Sequence, residues 1–383
     1  MKTRVLAAVF LLVISLVAAS CQGTPEQEAI SLNGFSITLY EPEVSFPDSI
    51  DFRIDAESEA DIATIELHYE VDRLSPIPIT SIAFPSFDTG TSVEAGWKWD
   101  MRKTGGLPPG TNVTYWWSIE DVQGNSAETA AADLTIGDKR FSWESVETDR
   151  VSLFWYHGSA GFAGELMEAA GESLDRLAAD IGTVLEERAS LYIYASAQSL
   201  REAMVYPQEW TGGVAYTEYS TIAIGISPTN LDWGKRAIAH ELAHLVVHQF
   251  TYSGYGAQLP TWLDEGLAMY AEGGLTAEME QVLESAVEQQ QLYSLRSLSG
   301  TFPAQTQAAY LAYAQSYSVV KFMLDDMEGG KTDVIDLLNS FKQGNGYEDA
   351  LDRVYGLDID ELDELWRQHV TSPPEYVSLS HTI

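Results

Sequence analysis

The first third of the chain alternates apolar with polar residues, which is the two-residue period of β-strands with one buried face. The alternation is clear in three stretches: Phe35, Ile37 and Leu39; Ile65, Leu67 and Tyr69; Val113, Tyr115 and Trp117. Turn-forming pairs separate such stretches, for example Pro47-Asp48, Gly105-Gly106 and Gly124-Asn125. Several short strands with this spacing predict a small antiparallel β-sandwich over residues 30–137.

The segment YWWSIEDVQGN at residues 115–125 resembles the last hairpin of immunoglobulin-like or fibronectin type III-like modules. No residues in this predicted sandwich have the spacing of a catalytic site. We therefore expect a spacer or packing module, with a dedicated recognition domain as the alternative, because a fold does not by itself define a function.

After residue 140 the pattern changes to mixed strand and helix. Residues 151–156, 191–194, 213–216 and 221–226 predict strands, whereas 161–181 and 233–250 predict helices. From residue 261 onwards the pattern is almost wholly helical, broken at glycines. The fold class is therefore α+β: an N-terminal sandwich, then a second domain over 141–372 with a small sheet and a helical C-terminal half, and a tail over 373–383.

The N-terminus has the pattern of a secretory signal. Lys2 and Arg4 precede an apolar run, residues 5–19, that is shorter than the roughly 20 residues of a membrane span. Cys21, the only cysteine, follows small residues and resembles the acylated cysteine of a bacterial lipobox, although Ala18 stands where leucine is usual. We expect a lipoprotein signal peptide at 1–20, a tether at 21–29, export and an extracytoplasmic lipid anchor. An ordinary signal peptide with an incidental cysteine is the alternative.

The composition limits the class of partner. The chain has 21 Lys plus Arg against 57 Asp plus Glu, for a formal net charge of −36. Such a surface repels phosphate backbones, so we expect no nucleic-acid partner. One cysteine also excludes a disulfide within the chain.

The chemistry-bearing motif lies on the helix predicted over 233–250. His240 and His244 are four residues apart, so they project from one helical face and can hold one zinc ion. Glu241 follows the first histidine and can accept a proton from a water made acidic by the metal. Glu265, on the next predicted helix, can supply the third ligand of a catalytic zinc site, which keeps one position open.

The sequence HELAH followed by LPTWLDEGLAMYAEG resembles the gluzincin metallopeptidases, most closely the bacterial peptidase MA-like domains. The resemblance extends in weaker form over residues 151–370 and does not cover the sandwich. It implies that His240, His244 and Glu265 ligate Zn²⁺ and that Glu241 is the base. It also implies hydrolysis of peptide bonds, with a peptide or protein as the substrate.

Other residues near the motif are candidates for supporting roles. His248 continues the four-residue spacing, but the histidine that a metzincin needs is replaced by Phe250, so we interpret His248 as a surface or supporting residue. Thermolysin-like enzymes have an acidic residue where this chain has Met269, which leaves Asp264 or Glu272 to orient a histidine.

In related aminopeptidases a tyrosine stabilises the oxyanion. The candidates here are Tyr310, Tyr313 and Tyr317, with Tyr313 preferred. All three are equally well explained as packing residues.

Two alternatives remain open at this point. The strand pair around residues 211–226 either forms an edge to which a substrate strand adds or is an ordinary structural hairpin. The whole protein is either the zinc peptidase described above or a non-catalytic surface lipoprotein, in which zinc braces two helices while the protein binds a partner or glycan. A base at Glu241 favours the enzyme, because a structural zinc site has no need of one.

Overall fold

We describe the fold from a computed structural model, which covers residues 27–75, 77–209, 211–252 and 258–371. The signal peptide, Cys21, most of the tether and the tail that the sequence predicts lie outside these residues. Within them, no helix is long and apolar enough to cross a membrane.

From residue 27 to residue 135, ten short strands of the described residues form two antiparallel sheets. The strands are β1 (Gln27–Leu32), β2 (Phe35–Tyr40), β3 (Glu43–Ser45), β4 (Ser49–Glu57), β5 (Ile62–Val71), β6 (Thr80–Ala83), β7 (Ser92–Asp100), β8 (Asn112–Asp121), β9 (Ser126–Glu128) and β10 (Ala132–Thr135). The first sheet has the order β1-β2-β4-β3 with β7 also paired to β4, and the second has the order β10-β8-β5-β6 with β9 paired to β8.

The two sheets share one hydrophobic core, which makes this part a β-sandwich. Phe35, Ile37 and Phe52 from the first sheet cluster with Leu67 and Trp117 from the second, and all are buried. The alternation in the sequence has its physical origin here, because every second side chain of a strand points into the core.

A third, mixed sheet begins the second part of the chain. Its strands are β11 (Glu144–Glu147), β12 (Val151–Trp155), β13 (Ala189–Tyr194), β14 (Gly213–Tyr216) and β15 (Thr221–Gly225), in the order β11-β12-β13-β15-β14. Strands β12, β13 and β15 are parallel, whereas β14 pairs antiparallel with β15 and lies at the edge of the sheet.

Ten α-helices accompany and follow this sheet in the described residues. They are α1 (Ala160–Asp180), α2 (Ala197–Arg201), α3 (Leu231–Thr251), α4 (Thr261–Glu272), α5 (Ala277–Glu288), α6 (Leu295–Leu298), α7 (Thr306–Lys321), α8 (Gly330–Lys342), α9 (Tyr347–Tyr355) and α10 (Ile359–Thr371). Strands first and helices last confirm the predicted α+β class.

Helix α3 occupies the centre of the second part because one of its faces is almost wholly apolar. Ile238, Leu242, Leu245 and Val246 are buried in the core that α3 shares with the sheet, α1 and α4. The opposite face carries the polar residues, and α4 packs across it.

Helix α4 in turn packs closely on α7 at Gly266. A Cβ atom on Gly266 would lie 2.6 Å from the carbonyl oxygen of Ser316 and 2.5 Å from Val320. Only glycine permits this separation of the two helices, which brings the first half of α7 next to Glu265.

Candidate metal centre

Four polar residues follow one another at four-residue intervals along the face of α3 that meets α4: Arg236, His240, His244 and His248. Residues spaced by four lie on one helical face, one turn apart. Helix α4 brings two adjacent carboxylates to this row, Asp264 and Glu265, and a third from its last turn, Glu272.

The predicted ligands His240, His244 and Glu265 come together at one point. The Nε2 atoms of the two histidines are 3.3 Å apart, and Glu265 Oε2 lies 3.4 Å from His240 Nε2 and 3.5 Å from His244 Nε2. Donors bound tetrahedrally to zinc at about 2.0–2.1 Å are separated by about 3.3–3.4 Å. Glu265 Oε2 is moreover buried and has no hydrogen-bond partner among the described residues. The spacing, the nitrogen and oxygen donors and the orphaned oxygen fit a zinc ion.

The pKa shifts of His244 and Glu265 also fit a positive charge at this point. Burial alone would lower the pKa of His244, but the carboxylates of Asp264 and Glu265 raise it well above its ordinary value. Burial alone would raise the pKa of Glu265, but the two histidines lower it to about 2. The cluster therefore needs positive charge between its side chains, which protons on the imidazoles or a divalent cation can supply.

Each histidine of the pair has a carboxylate behind its other ring nitrogen. Asp264 Oδ1 is 3.0 Å from His244 Nδ1, and Glu272 Oε2 is 3.3 Å from His240 Nδ1 at an ion-pair distance rather than in hydrogen-bond geometry. Such partners fix the tautomer and ring orientation of metal-binding histidines. Both residues that the sequence offered for this task are thus in place, one on each histidine.

These carboxylates are held in turn by cationic or cation-forming side chains at the two ends of the row. Arg236 donates from Nε and Nη2 to Glu272 Oε1, at 3.0 and 2.8 Å. His248 Nε2 lies 3.0 Å from Asp264 Oδ2, outside the His240–His244–Glu265 trio. Sequence reasoning missed Arg236, although its place four residues before His240 could have indicated it.

Glu241 lies beside the trio on the next position of α3 and meets the edge strand β14. A Cβ atom on Gly213, the first residue of β14, would be 2.5 Å from Glu241 Oε1 and 3.2 Å from its Cδ. Burial raises the pKa of Glu241 above its ordinary value. Gly213 was not singled out from the sequence; the Gly212-Gly213 pair before a strand was the available signal.

Of the three candidate tyrosines, Tyr313 lies at the site. Its hydroxyl is 3.5 Å from Glu265 Oε1, and its ring centroid is 6.4 Å from that of His240. Burial and the nearby carboxylates raise its pKa, so the hydroxyl keeps its proton and can donate. The hydroxyl of Tyr317 instead lies against Gly274, beyond the end of α4.

The Peptidase MA superfamily model matches residues 169–372, more than half of the chain. The chain therefore belongs to the Peptidase MA superfamily. This confirms the resemblance drawn from the HELAH and WLDEGLA segments, and with it the predicted class of enzyme, a zinc metallopeptidase.

Three solved structures are remotely similar to the chain. The M1 zinc metallopeptidase of Deinococcus radiodurans is 12% identical over 92% of this chain and 97% of its own, with a TM-score of 0.37. A glutamate-to-alanine mutant of the same Deinococcus radiodurans enzyme gives 13% identity over 86% and 92%, with a TM-score of 0.39. Legionella pneumophila aminopeptidase A, in complex with aspartic acid, gives 12% over 83% and 47%, with a TM-score of 0.37. A comparison with curated proteins found no match.

The contacts behind the histidines predict the effect of removing a single charge. Asp264→Asn and Glu272→Gln should each weaken zinc binding about 10- to 100-fold, because a neutral amide is a weaker acceptor than a carboxylate and no longer raises the basicity of the imidazole behind the metal. Competition with a chelating dye measures the affinity. Glu278→Gln, in the exposed first turn of α5, is the matched control and should change nothing. Affinities within twofold of wild type in both variants would contradict the assigned positioning role.

Proposed function

We propose that this protein hydrolyses peptide bonds with a zinc ion held by His240, His244 and Glu265. Zinc in such a site supplies a Lewis acid that polarises a carbonyl group and makes water more acidic. The observation that carries the proposal is the position of Glu241: it directly follows the ligand His240 on α3, it is buried within electrostatic range of His244 and Glu265, and none of the described residues donates a hydrogen bond to its carboxylate. A carboxylate so placed is free to exchange protons.

The chain's own residues would divide the work as follows. Glu241 takes a proton from the attacking water and transfers it to the leaving amine, and its raised pKa favours the first of these steps. The hydroxyl of Tyr313 donates to the carbonyl oxygen as negative charge develops on it. Asp264 and Glu272 hold the histidine rings in place throughout.

The edge strand β14 offers a place for the peptide backbone. β14 is the last strand of its sheet, so one of its edges is unpaired within the sheet. Its first residue, Gly213, touches Glu241. A peptide that adds to this edge as another strand would carry its backbone past the candidate base. This geometry supports a substrate edge at residues 211–226 over an ordinary hairpin.

The test is cleavage of a diverse, unfolded peptide mixture, followed by mass spectrometry with zinc, with a chelator, and with Glu241→Gln. We expect the variant to retain its zinc and lose about 10²- to 10⁴-fold in kcat/KM, because the proton carrier is gone. Glu280→Gln on α5 serves as the control. Full turnover in Glu241→Gln would disprove the mechanism, and zinc-loaded protein that cuts nothing would favour the non-catalytic lipoprotein.

Gly213 allows a second test that leaves every charged group unchanged. Gly213→Ala places a methyl group 2.5 Å from Glu241 Oε1, so the carboxylate must move away from its position beside the ligands. A misplacement of about 1 Å is expected to cost about 100-fold in kcat/KM with zinc content unchanged. Gly212→Ala, which meets the half-exposed Trp233 instead, is the neighbouring control. Equal activity of the two variants would show that β14 does not position Glu241.

The proposal also includes export and a lipid anchor at Cys21, on the basis of the N-terminal sequence. Cys21→Ser should then move the protein from the membrane fraction to the soluble exported fraction, because the acylated thiol is lost. Immunoblots of the two fractions measure this. Unchanged membrane association would refute the anchor and leave the peptidase proposal untouched.

A further inference from the structure

The far end of the edge strand β14 meets the sandwich. Glu218 lies two residues beyond Tyr216, where β14 ends, and its carbonyl oxygen accepts a hydrogen bond from the backbone N–H of Leu74 at 2.7 Å. Arg73 Nη1 is 3.6 Å from Glu218 Oε2. The turn that follows β14 therefore contacts the connection between β5 and β6.

This connection and the strand after it expose a cluster of large apolar side chains. Ile77, Ile79, Ile82 and Phe84 are 69%, 56%, 48% and 66% exposed. Single exposed hydrophobic residues are common on protein surfaces. Four within eight residues form an apolar patch, which is typical of a binding surface. We call these four residues the hairpin patch.

The hairpin patch follows an exposed sheet edge. β6 is the last strand of the second sandwich sheet. Ile82 lies on its outer face, Ala83 is buried in the core, and the exposed Phe84 directly follows the strand. The patch thus begins at Ile77, three residues after Leu74, which bonds to the turn that follows β14.

The distances suit one extended chain. Gly213 and Glu218 are five residues apart, which is at most about 18 Å, and Ile77 is within about 11 Å of Leu74. With the few ångströms across the Leu74–Glu218 hydrogen bond added, about ten residues of an extended peptide are enough to reach from Glu241 to the beginning of the hairpin patch.

We infer that the hairpin patch binds an apolar stretch of the polypeptide whose scissile bond lies at Glu241. The inference rests on the proposed peptidase function and assigns it a substrate class: extended or unfolded polypeptides with apolar segments, held at a distance from the bond that is cut. The sandwich is then part of the substrate site rather than a spacer.

The surroundings of the patch favour a substrate chain over a membrane. The formal net charge of −36 repels anionic lipid surfaces, whereas an uncharged apolar segment meets no such barrier. Arg73 and Glu218 neutralise each other at the junction. The Leu74–Glu218 hydrogen bond also joins the connection that carries Ile77 and Ile79 to the turn that follows β14.

The test compares peptides built around one bond that the enzyme cuts in the unfolded mixture. A six-residue peptide is extended by nine apolar residues or by nine Gly and Ser residues, on each side in turn. For wild type, kcat/KM should be higher with the apolar extension on one side. In Ile77→Ser/Ile79→Ser the ratio of apolar-extended to Gly-Ser-extended kcat/KM should fall about tenfold, because two apolar contacts are removed.

Val122→Ser is the matched control. Val122 is 66% exposed, lies between β8 and β9 and is absent from the hairpin patch. This variant should keep the wild-type ratio. An unchanged ratio in the Ile77→Ser/Ile79→Ser variant, or no preference for the apolar extension in wild type, would overturn the inference.

A binding measurement separates the inference from the proposed function. Fluorescence anisotropy of the labelled apolar-extended peptide, with Glu241→Gln protein, reports binding without turnover. Weaker binding after Ile77→Ser/Ile79→Ser, with wild type unable to cut any peptide, would refute the peptidase and retain a peptide-binding patch. Loss of self-association or of vesicle binding in that variant, with peptide binding unaltered, would assign the patch to a second copy or a membrane and overturn the inference.

Discussion

A buried carboxylate oxygen that faces two imidazole nitrogens is the constraint on which the second half of this protein depends. Glu265 Oε2 finds no hydrogen-bond partner in the part of the chain that the structure describes, and it lies within 3.5 Å of His240 and His244 Nε2. An isolated buried charge of this kind is costly, so the site is stable only with positive charge at its centre. The close packing of α4 on both α3 and α7 fixes this arrangement, and Gly266 makes the second contact possible.

The remaining charges on these helices are arranged to support that centre from both ends. Glu272 and Asp264 stand behind His240 and His244, and Arg236 and His248 hold those carboxylates. All four members of the α3 row are spaced by one helical turn, so a single straight helix supplies the ligands and their outermost supports. The rigidity of a long helix, rather than of loops, keeps the donor atoms within a few tenths of an ångström of tetrahedral spacing.

The sequence predicted the features that follow from local periodicity. The HELAH spacing placed two histidines on one face, the helix expected over 233–250 is α3 at Leu231–Thr251, and alternation predicted the sandwich. It did not predict Arg236 as a support, the contact of Gly213 with Glu241, or the hydrogen bond between Leu74 and Glu218. Each of these joins elements far apart in the chain, and only the packing of α3, α4, β14 and the sandwich brings them together. Short β11 and α2 lack enough residues to show a period.

The placement of Glu241 bears on the choice between an enzyme and a braced lipoprotein. A carboxylate next to two others, at Glu265 and Glu272, raises the electrostatic cost of the cluster, and burial raises it further. A site that only joined two helices would be more stable with an uncharged residue here, since no described residue offers Glu241 a hydrogen bond. Glycine at position 213 reserves space for its side chain at the sheet edge. Local arrangements that reduce stability and are accommodated by neighbouring residues are typical of functional sites, and here both features lie where a peptide strand would pass.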